Sequence, residues 1–310
     1  MSSETASQKK YIVAALDPTE LLAQSRLIHL SNLNEGDLDF LKQFWARTAT
    51  ERRRQVIAQL AATSKTNFRV SFNEIFLFCL HDLDAQVRAN AIAGLAEEED
   101  YRHISPLIRL LKEDSSAEVR EAAVVALGNF AVLSEMGKLS TASTNELYQA
   151  LLAAVDDQSM GDTLQCRALE AIAPLNLPRV KDMIKAAYRS KSASRKLCAL
   201  RAMGRNCDEA WLPILVKELD NENAEMRYEA AHAIAELGSD TALPYLVKLS
   251  ENEDVRVQEA AIRGLGETGG EEARQALNKL AKSLQQRIRQ AARAALKEFD
   301  FNQDSIPFGS

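Results

Sequence analysis

Small and bulky apolar residues recur along this chain at helical spacing, and the spacing itself repeats. The stretch Glu118-Val119-Arg120-Glu121-Ala122-Ala123-Val124-Val125-Ala126-Leu127-Gly128 has the same order of charged, small and large positions as Glu225-Met226-Arg227-Tyr228-Glu229-Ala230-Ala231-His232-Ala233-Ile234-Ala235. With the place of Arg120 taken as position zero, the equivalents are Arg53, Arg88, Arg120, Gln165, Lys196, Arg227, Gln258 and Arg289. Successive steps are 35, 32, 45, 31, 31, 31 and 31 residues. A fixed period of this length is the signature of a repeat architecture, and the step of 45 is one period plus an insertion near Ala131 to Thr144. Position three holds Val56 and then Ala91, Ala123, Ala168, Ala199, Ala230, Ala261 and Ala292; position seven holds Leu60, Leu95, Leu127, Ile172, Met203, Ile234, Leu265 and Leu296. Small and large residues at i and i+4 share one helix face, where the small one admits a neighbouring helix and the large one fills the gap beside it.

A second amphipathic segment precedes each of these, as in Trp211 to Leu219 and Ala242 to Leu249. Pro106, Pro213 and Pro244 keep the period and suit a first helical turn, where a missing N–H costs nothing. Polar turns such as Asp220-Asn221-Glu222-Asn223 join the two helices. The pattern predicts an all-α chain, an α-solenoid wound as a right-handed superhelix of about eight helical hairpins over residues 31–299. Residues 1–30 are expected to hold a capping helix over Pro18 to Leu30, with Asp17 as its N-cap, and residues 300–310 a flexible tail.

The repeated positions, and Met226-Arg227-Tyr228-Glu229-Ala230-Ala231 in particular, resemble the HEAT-repeat family, in its short subtype named after phycobilisome lyases. The resemblance implies that the second helices line a concave, partner-binding surface. It also implies a ladder of turn aspartates with the position-zero arginine: Asp84 with Arg88, Asp114 with Arg120 and Asp220 with Arg227, interrupted where Gln165, Lys196 and Gln258 replace the arginine. It specifies architecture and hardly any activity.

Composition narrows the functional classes. The net charge of −6 gives no general attraction to phosphate backbones or anionic lipid, so nucleic acid and membrane are not expected partners. The apolar run Tyr11 to Leu16 is too short for a signal-peptide core or a membrane span, which reads as a cytoplasmic protein. Cys79, Cys166, Cys198 and Cys207 form no CxxC pair and read as buried, reduced thiols. The four histidines precede Leu30, Asp82, Ile104 and Ala233, so the His-Glu pairs of the HEAT-like deoxyhypusine hydroxylases are absent, as are HExxH, GxSxG and phosphate-loop patterns. No cofactor or metal is expected. Gly264, Gly266, Gly269 and Gly270 read as helix-end and turn glycines.

Position five of consecutive repeats carries Arg201, His232 and Arg263, a row with neighbours about 10 Å apart on stacked helices. With Arg205 and Tyr228 on the same face, the row forms a candidate patch for an acidic peptide or protein segment; the alternative is a merely solvated face. The insertion, with Leu133, Met136 and Leu139, reads as a docking loop or as a loop laid over an adjacent helix. Glu97-Glu98-Glu99-Asp100 reads as a solvated turn with cation binding as the alternative, Arg52-Arg53-Arg54 as structural rather than phosphate-binding, and Trp45 and Trp211 as core. The function expected is a non-enzymatic protein–protein interaction scaffold that binds on its concave helix face. The alternatives are a tetrapyrrole lyase or lyase subunit, suggested by the repeat subtype, and a HEAT-like nucleic-acid binder or DNA glycosylase.

Overall fold

The computed structural model describes residues 2–96 and 99–304. Every regular element among them is helical. Two amino-terminal helices, α1 (Ser2–Leu16) and α2 (Gln24–Leu27), precede eight hairpins. These are α3 (Glu35–Trp45) with α4 (Thr50–Thr66), α5 (Asn73–Cys79) with α6 (Ala85–Leu95), α7 (Ile104–Glu113) with α8 (Ala117–Glu135), and α9 (Thr141–Asp156) with α10 (Gly161–Ile172). There follow α11 (Pro178–Tyr188) with α12 (Ala193–Asn206), α13 (Leu212–Glu218) with α14 (Ala224–Leu237), α15 (Leu243–Leu249) with α16 (Val255–Thr268), and α17 (Gly270–Leu280) with α18 (Gln286–Asp304). The architecture is an α-solenoid. The hairpins fall into two compact units, residues 1–171 and 172–310.

The repeated pair of small and bulky positions is the seam. All seven alanines at position three have no exposed surface, and Val56 has 1%. At position seven, Leu60, Leu95, Leu127, Ile172, Met203, Ile234 and Leu265 are equally buried, whereas Leu296 is partly exposed. Within each unit the second helices stack upon one another, α4 to α6 to α8 and α12 to α14 to α16 to α18, while α5, α7, α11, α13, α15 and α17 meet chiefly the second helix of their own hairpin, α3 packs on α1, and α9 packs on α8 and α7.

Position zero has a different task from the one expected. Its side chain caps the carbonyl groups that the preceding helix and turn leave without partners. Arg88 donates to the Asp82 and Leu83 carbonyls at 2.7 and 3.1 Å, Arg227 to those of Asn221 and Glu222 at 2.8 and 2.9 Å, and Arg289 to Ser283 and Leu284 at 2.6 and 3.3 Å. Gln165 and Gln258 do the same for Val155 at 2.9 Å and Ser250 at 2.7 Å, which is why an amide can replace a guanidinium there. The carboxylate ladder therefore runs between hairpins rather than within them. Arg88 grips Asp114 at 2.7 and 2.8 Å, Arg53 pairs with Asp82 at 3.0 Å, and Arg120 takes the Asp114 carbonyl instead of its carboxylate. Asp84, the expected partner of Arg88, caps α6 through the Val87 N–H and accepts Arg54.

Four other expectations are corrected. The amino-terminal segment holds two helices rather than one: α1 precedes the expected stretch, and within residues 18–30 helix is confined to α2 and a 3-10 turn over Ile28–Leu30, with Leu27 and Leu30 buried. Asp17 closes a turn with the Thr19 N–H at 2.8 Å instead of capping a helix there. α1 buries Ile12, Ala15 and Leu16, and its end is held by Arg52, which donates to the Ala15 carbonyl at 2.8 Å and the Glu20 carbonyl at 2.9 Å. The insertion is not a loop: it lengthens α8 to Glu135 and supplies the start of α9, leaving only residues 136–140 as a turn. α18 continues to Asp304, so the expected tail narrows to residues 305–310, outside the described residues. Gly264 and Gly266 lie inside α16 as helix contacts, whereas Gly269 links α16 to α17 and Gly270 opens α17, with φ of 80° and 86°.

Candidate functional site

The candidate residues come from α12, α14 and α16, three second helices of equal length set side by side. Arg201 and Arg205 stand one turn apart on α12, Tyr228 and His232 one turn apart on α14, and Arg263 on α16. Glycine makes the close approach of these helices possible. A Cβ at Gly204 would lie 2.8 Å from the Ala233 Cα, and one at Gly264 would lie 2.9 Å from the Ala235 Cα. A left-handed residue ends α12 and α14, Cys207 at φ 51° and Gly238 at φ 56°, one period apart. Cys207 is exposed there and Cys166 is partly exposed, unlike the buried Cys79 and Cys198, which corrects the expectation of four buried thiols.

The face is not the purely basic patch read from position five. Three glutamates interleave with the arginines. Arg201 donates through Nε and Nη2 to Glu229 Oε1 at 2.9 and 2.5 Å, and the Glu229 side chain keeps 9% of its surface against 39% for Arg201. His232 Nδ1 is 3.6 Å from Glu236 Oε1. The Glu236 carboxylate lies over Gly204, in the space a side chain would fill. Tyr228 has its ring centroid 6.1 Å from that of His232, and the Arg256 guanidinium lies 5.1 Å over Tyr228 while pairing with Glu225 at 2.8 Å.

Electrostatics tie these groups into one cluster. Burial lowers the His232 pKa, and Arg263, Arg201 and Arg205 add to the effect while Glu229 opposes it. Burial raises the Glu236 pKa against the pull of Arg205 and Arg263, and it raises that of Glu267 against Arg263. Desolvation thus outweighs attraction for both carboxyl groups. Arg205 and Arg263 are exposed, and neither forms an ion pair among the described residues. Two of the three glutamates were legible: one period separates Arg205, Glu236, Glu267 and Glu298 at position nine.

Other candidates resolve into structure. Arg52 is buried against carbonyl groups, Arg53 pairs with Asp82, and Arg54 grips Asp84 at 2.9 and 2.6 Å, so the arginine run is committed within the fold. Trp45 and Trp211 are 3% and 2% exposed, with their indole N–H groups donating to Asp82 and Asn206, each at 2.7 Å. Glu97 and Glu98 of the acidic run lie outside the described residues; Glu99 accepts from Lys138 and Asp100 from Arg102. No helix among the described residues is long and apolar enough to cross a membrane.

Comparison with known proteins places this geometry in a wider group. The family model for HEAT repeats matches residues 74–165 and 212–297, together more than half of the chain. No curated protein matches the sequence. Among solved structures, the complex of CpcE and CpcF of phycocyanin lyase from Nostoc sp. PCC7120 aligns with a TM-score of 0.52 at 16% identity, covering 92% of this chain and 96% of that one. Human deoxyhypusine hydroxylase in complex with glycerol aligns with a TM-score of 0.34 at 16% identity, over 96% of this chain and 97% of that chain. At such identities the likeness concerns the fold alone.

Proposed function

This chain belongs to the HEAT-repeat family, and we propose that it is a non-enzymatic scaffold whose second-helix face over α12, α14 and α16 binds an acidic segment of a partner protein. The observation that carries the reading is the vertical order of charge on that face. Glu229 is buried beneath Arg201 and Glu236 is half-buried over Gly204, while Arg205 and Arg263 stand exposed without ion pairs among the described residues, with Glu267 the one exposed carboxylate of the three. Guanidinium groups are therefore the outermost donors, planar and suited to carboxylates. Tyr228 beneath Arg256 adds an aromatic flank of the kind enriched at protein interfaces.

Peptides selected from a random library on the full chain are expected to be rich in Asp and Glu. Their affinity should fall about tenfold or more for the Arg205→Glu, Arg263→Glu double variant, equivalent to about 1.4 kcal/mol. The variant's helical circular dichroism should remain native. Selected peptides without acidic bias, or acidic ones that bind the double variant equally well, would refute the reading. Salt-sensitive binding of duplex DNA at the same face, in preference to peptides, would transfer the assignment to nucleic acid.

A further inference from the structure

The repeat provides an internal control for what a guanidinium on this face holds. At Arg201 the arrangement is complete: position five of one hairpin donates twice to Glu229, at position two of the next, with Nε and Nη2 at 2.9 and 2.5 Å from one carboxylate oxygen. One period on, the same two positions are His232 and Ala260, and the imidazole turns to Glu236 on its own helix. Two periods on they are Arg263 and Ala291. The cation has returned and the carboxylate has not. Arg263 is exposed, Ala291 is partly exposed, and their helices α16 and α18 pack side by side as α12 and α14 do.

We propose that Arg263 and Ala291 form an open rung, a site that takes one carboxylate of an acidic side chain from the partner protein in the place that Glu229 fills for Arg201. The proposal rests on the scaffold reading above and adds the location and chemistry of one contact. Glu229 shows the geometry the ligand adopts. Two further groups select among anions. Glu236 and Glu267 lie near enough to influence Arg263 electrostatically without forming an ion pair with it among the described residues. A second negative charge on the ligand meets both. A phosphate group of about −2 is repelled more than a carboxylate of −1, so the site favours Asp or Glu over a phosphorylated side chain.

The test fills the rung from inside. A fluorescein-labelled hexaglutamate peptide is titrated by anisotropy against the full chain and against Ala291→Glu, Ala291→Gln and Arg263→Ala. Ala291→Glu is expected to weaken binding about tenfold, as much as Arg263→Ala, while Ala291→Gln changes it less than about twofold. The Arg263 Nε–H resonance should shift and gain protection from exchange in Ala291→Glu alone. Equal loss in the Gln and Glu variants would show a steric effect and overturn the open rung, as would an unaltered affinity in Ala291→Glu. If hexaglutamate still loses affinity for the Arg205→Glu, Arg263→Glu variant in that case, the scaffold reading survives without the rung. A native chain that binds no hexaglutamate sinks both. Tighter binding of a phosphoserine peptide of equal length would overturn the carboxylate assignment.

Discussion

The two units build the same hairpin by different means. In the carboxy-terminal unit the position-zero residues are spaced by an unvarying 31 residues, and α12, α14 and α16 each have 14 residues. Its second helices approach through glycines, with Gly204 against Ala233 and Gly264 against Ala235. In the amino-terminal unit the steps are 35, 32 and 45, the second helices run from 11 to 19 residues, and successive hairpins are tied by Arg53 to Asp82 and Arg88 to Asp114. Position five differs accordingly. It holds Ala58, Ala93 and Val125 in the first three hairpins, but Arg201, His232 and Arg263 in the fifth to seventh. A regular array brings equivalent residues into columns, so charge repeated at one position becomes a surface. Ion pairs join hairpins in both units, but those of the first, Arg53 with Asp82 and Arg88 with Asp114, are the buried ones, whereas Arg201 with Glu229 and Arg256 with Glu225 in the second keep their arginines open to solvent.

If that contrast is correct, polar deletions should damage the amino-terminal unit most. Asp82 receives Arg53 at 3.0 Å, the Trp45 indole at 2.7 Å and the Asp84 backbone N–H at 2.8 Å, with 4% of its side chain exposed. Asp82→Ala strands all three donors, and removing one partner from a buried pair costs about 3 kcal/mol or more. The two tryptophans report on one unit each, since Trp45 lies in the first and Trp211 in the second. Urea titration followed through Trp45 in a Trp211→Phe background should show the loss. A midpoint unchanged from the Asp82 parent would remove buried ion pairs as the distinguishing bond of this unit.

The glycine contacts give the reciprocal experiment. Alanine in a helix interior is favoured over glycine by about 1 kcal/mol, so the substitution is harmful only where space is lacking. At Gly264 the new Cβ would stand 2.7 Å from the Ala235 Cβ and 2.9 Å from its Cα; at Gly128 of the first unit the nearest atom, the Ala171 Cα, is 3.2 Å away. Overpacking of about 1–3 kcal/mol should exceed the helix gain at Gly264 and roughly balance it at Gly128. Gly264→Ala is thus expected to lower the thermal midpoint while Gly128→Ala leaves it nearly unchanged. The reverse order would mean that close helix approach does not separate the units.

The hairpins were legible in sequence because their seam is written in residue size. Only a small residue followed by a large one fits where helices meet, and every position-three residue is buried as that logic requires. α1 was not legible: Ser2–Leu16 is polar over much of its length, and what holds its end is Arg52, far along the chain. Lengthening of α8 through the insertion was hidden for a similar reason, since Ser134 and Thr144 meet across the turn at 2.9 Å only once α9 is in place. Gly264 and Gly266 misled because glycine disfavours helix locally, and the tertiary contact that requires it is invisible in one segment. The arginine row was legible from its period. Glu236 and Glu267 carry the same period and Glu229 does not, and which of these charges is buried follows from packing.

The smallest expected effect separates the units by the sign of their response to pH. In the first unit Arg54 holds the Asp84 pKa down to about 2, so the ionised carboxylate stabilises the fold. That contribution is complete above the ordinary value of 3.8 and is lost as pH falls through about 2. In the second unit burial raises the Glu236 pKa above 4.5, so its ionised form costs stability at neutral pH, and the cost disappears as pH falls through the raised value toward 4.5. Asp84→Asn should therefore lower the Trp45-monitored midpoint at pH 7, and Glu236→Gln should raise the Trp211-monitored one. Both differences should close on acidification, for Glu236→Gln by the ordinary glutamate range and for Asp84→Asn only below 3.8. His232, whose lowered pKa acts in the opposite direction to Glu236 as acid is added, lies 3.6 Å from Glu236 and couples to it, so Glu236→Gln is compared with its parent in a His232→Gln background. Should Glu236→Gln destabilise at pH 7, the attraction of Arg205 and Arg263 would outweigh desolvation. Glu236 would then be a bound counter-ion of the arginine face rather than a buried charge the packing tolerates.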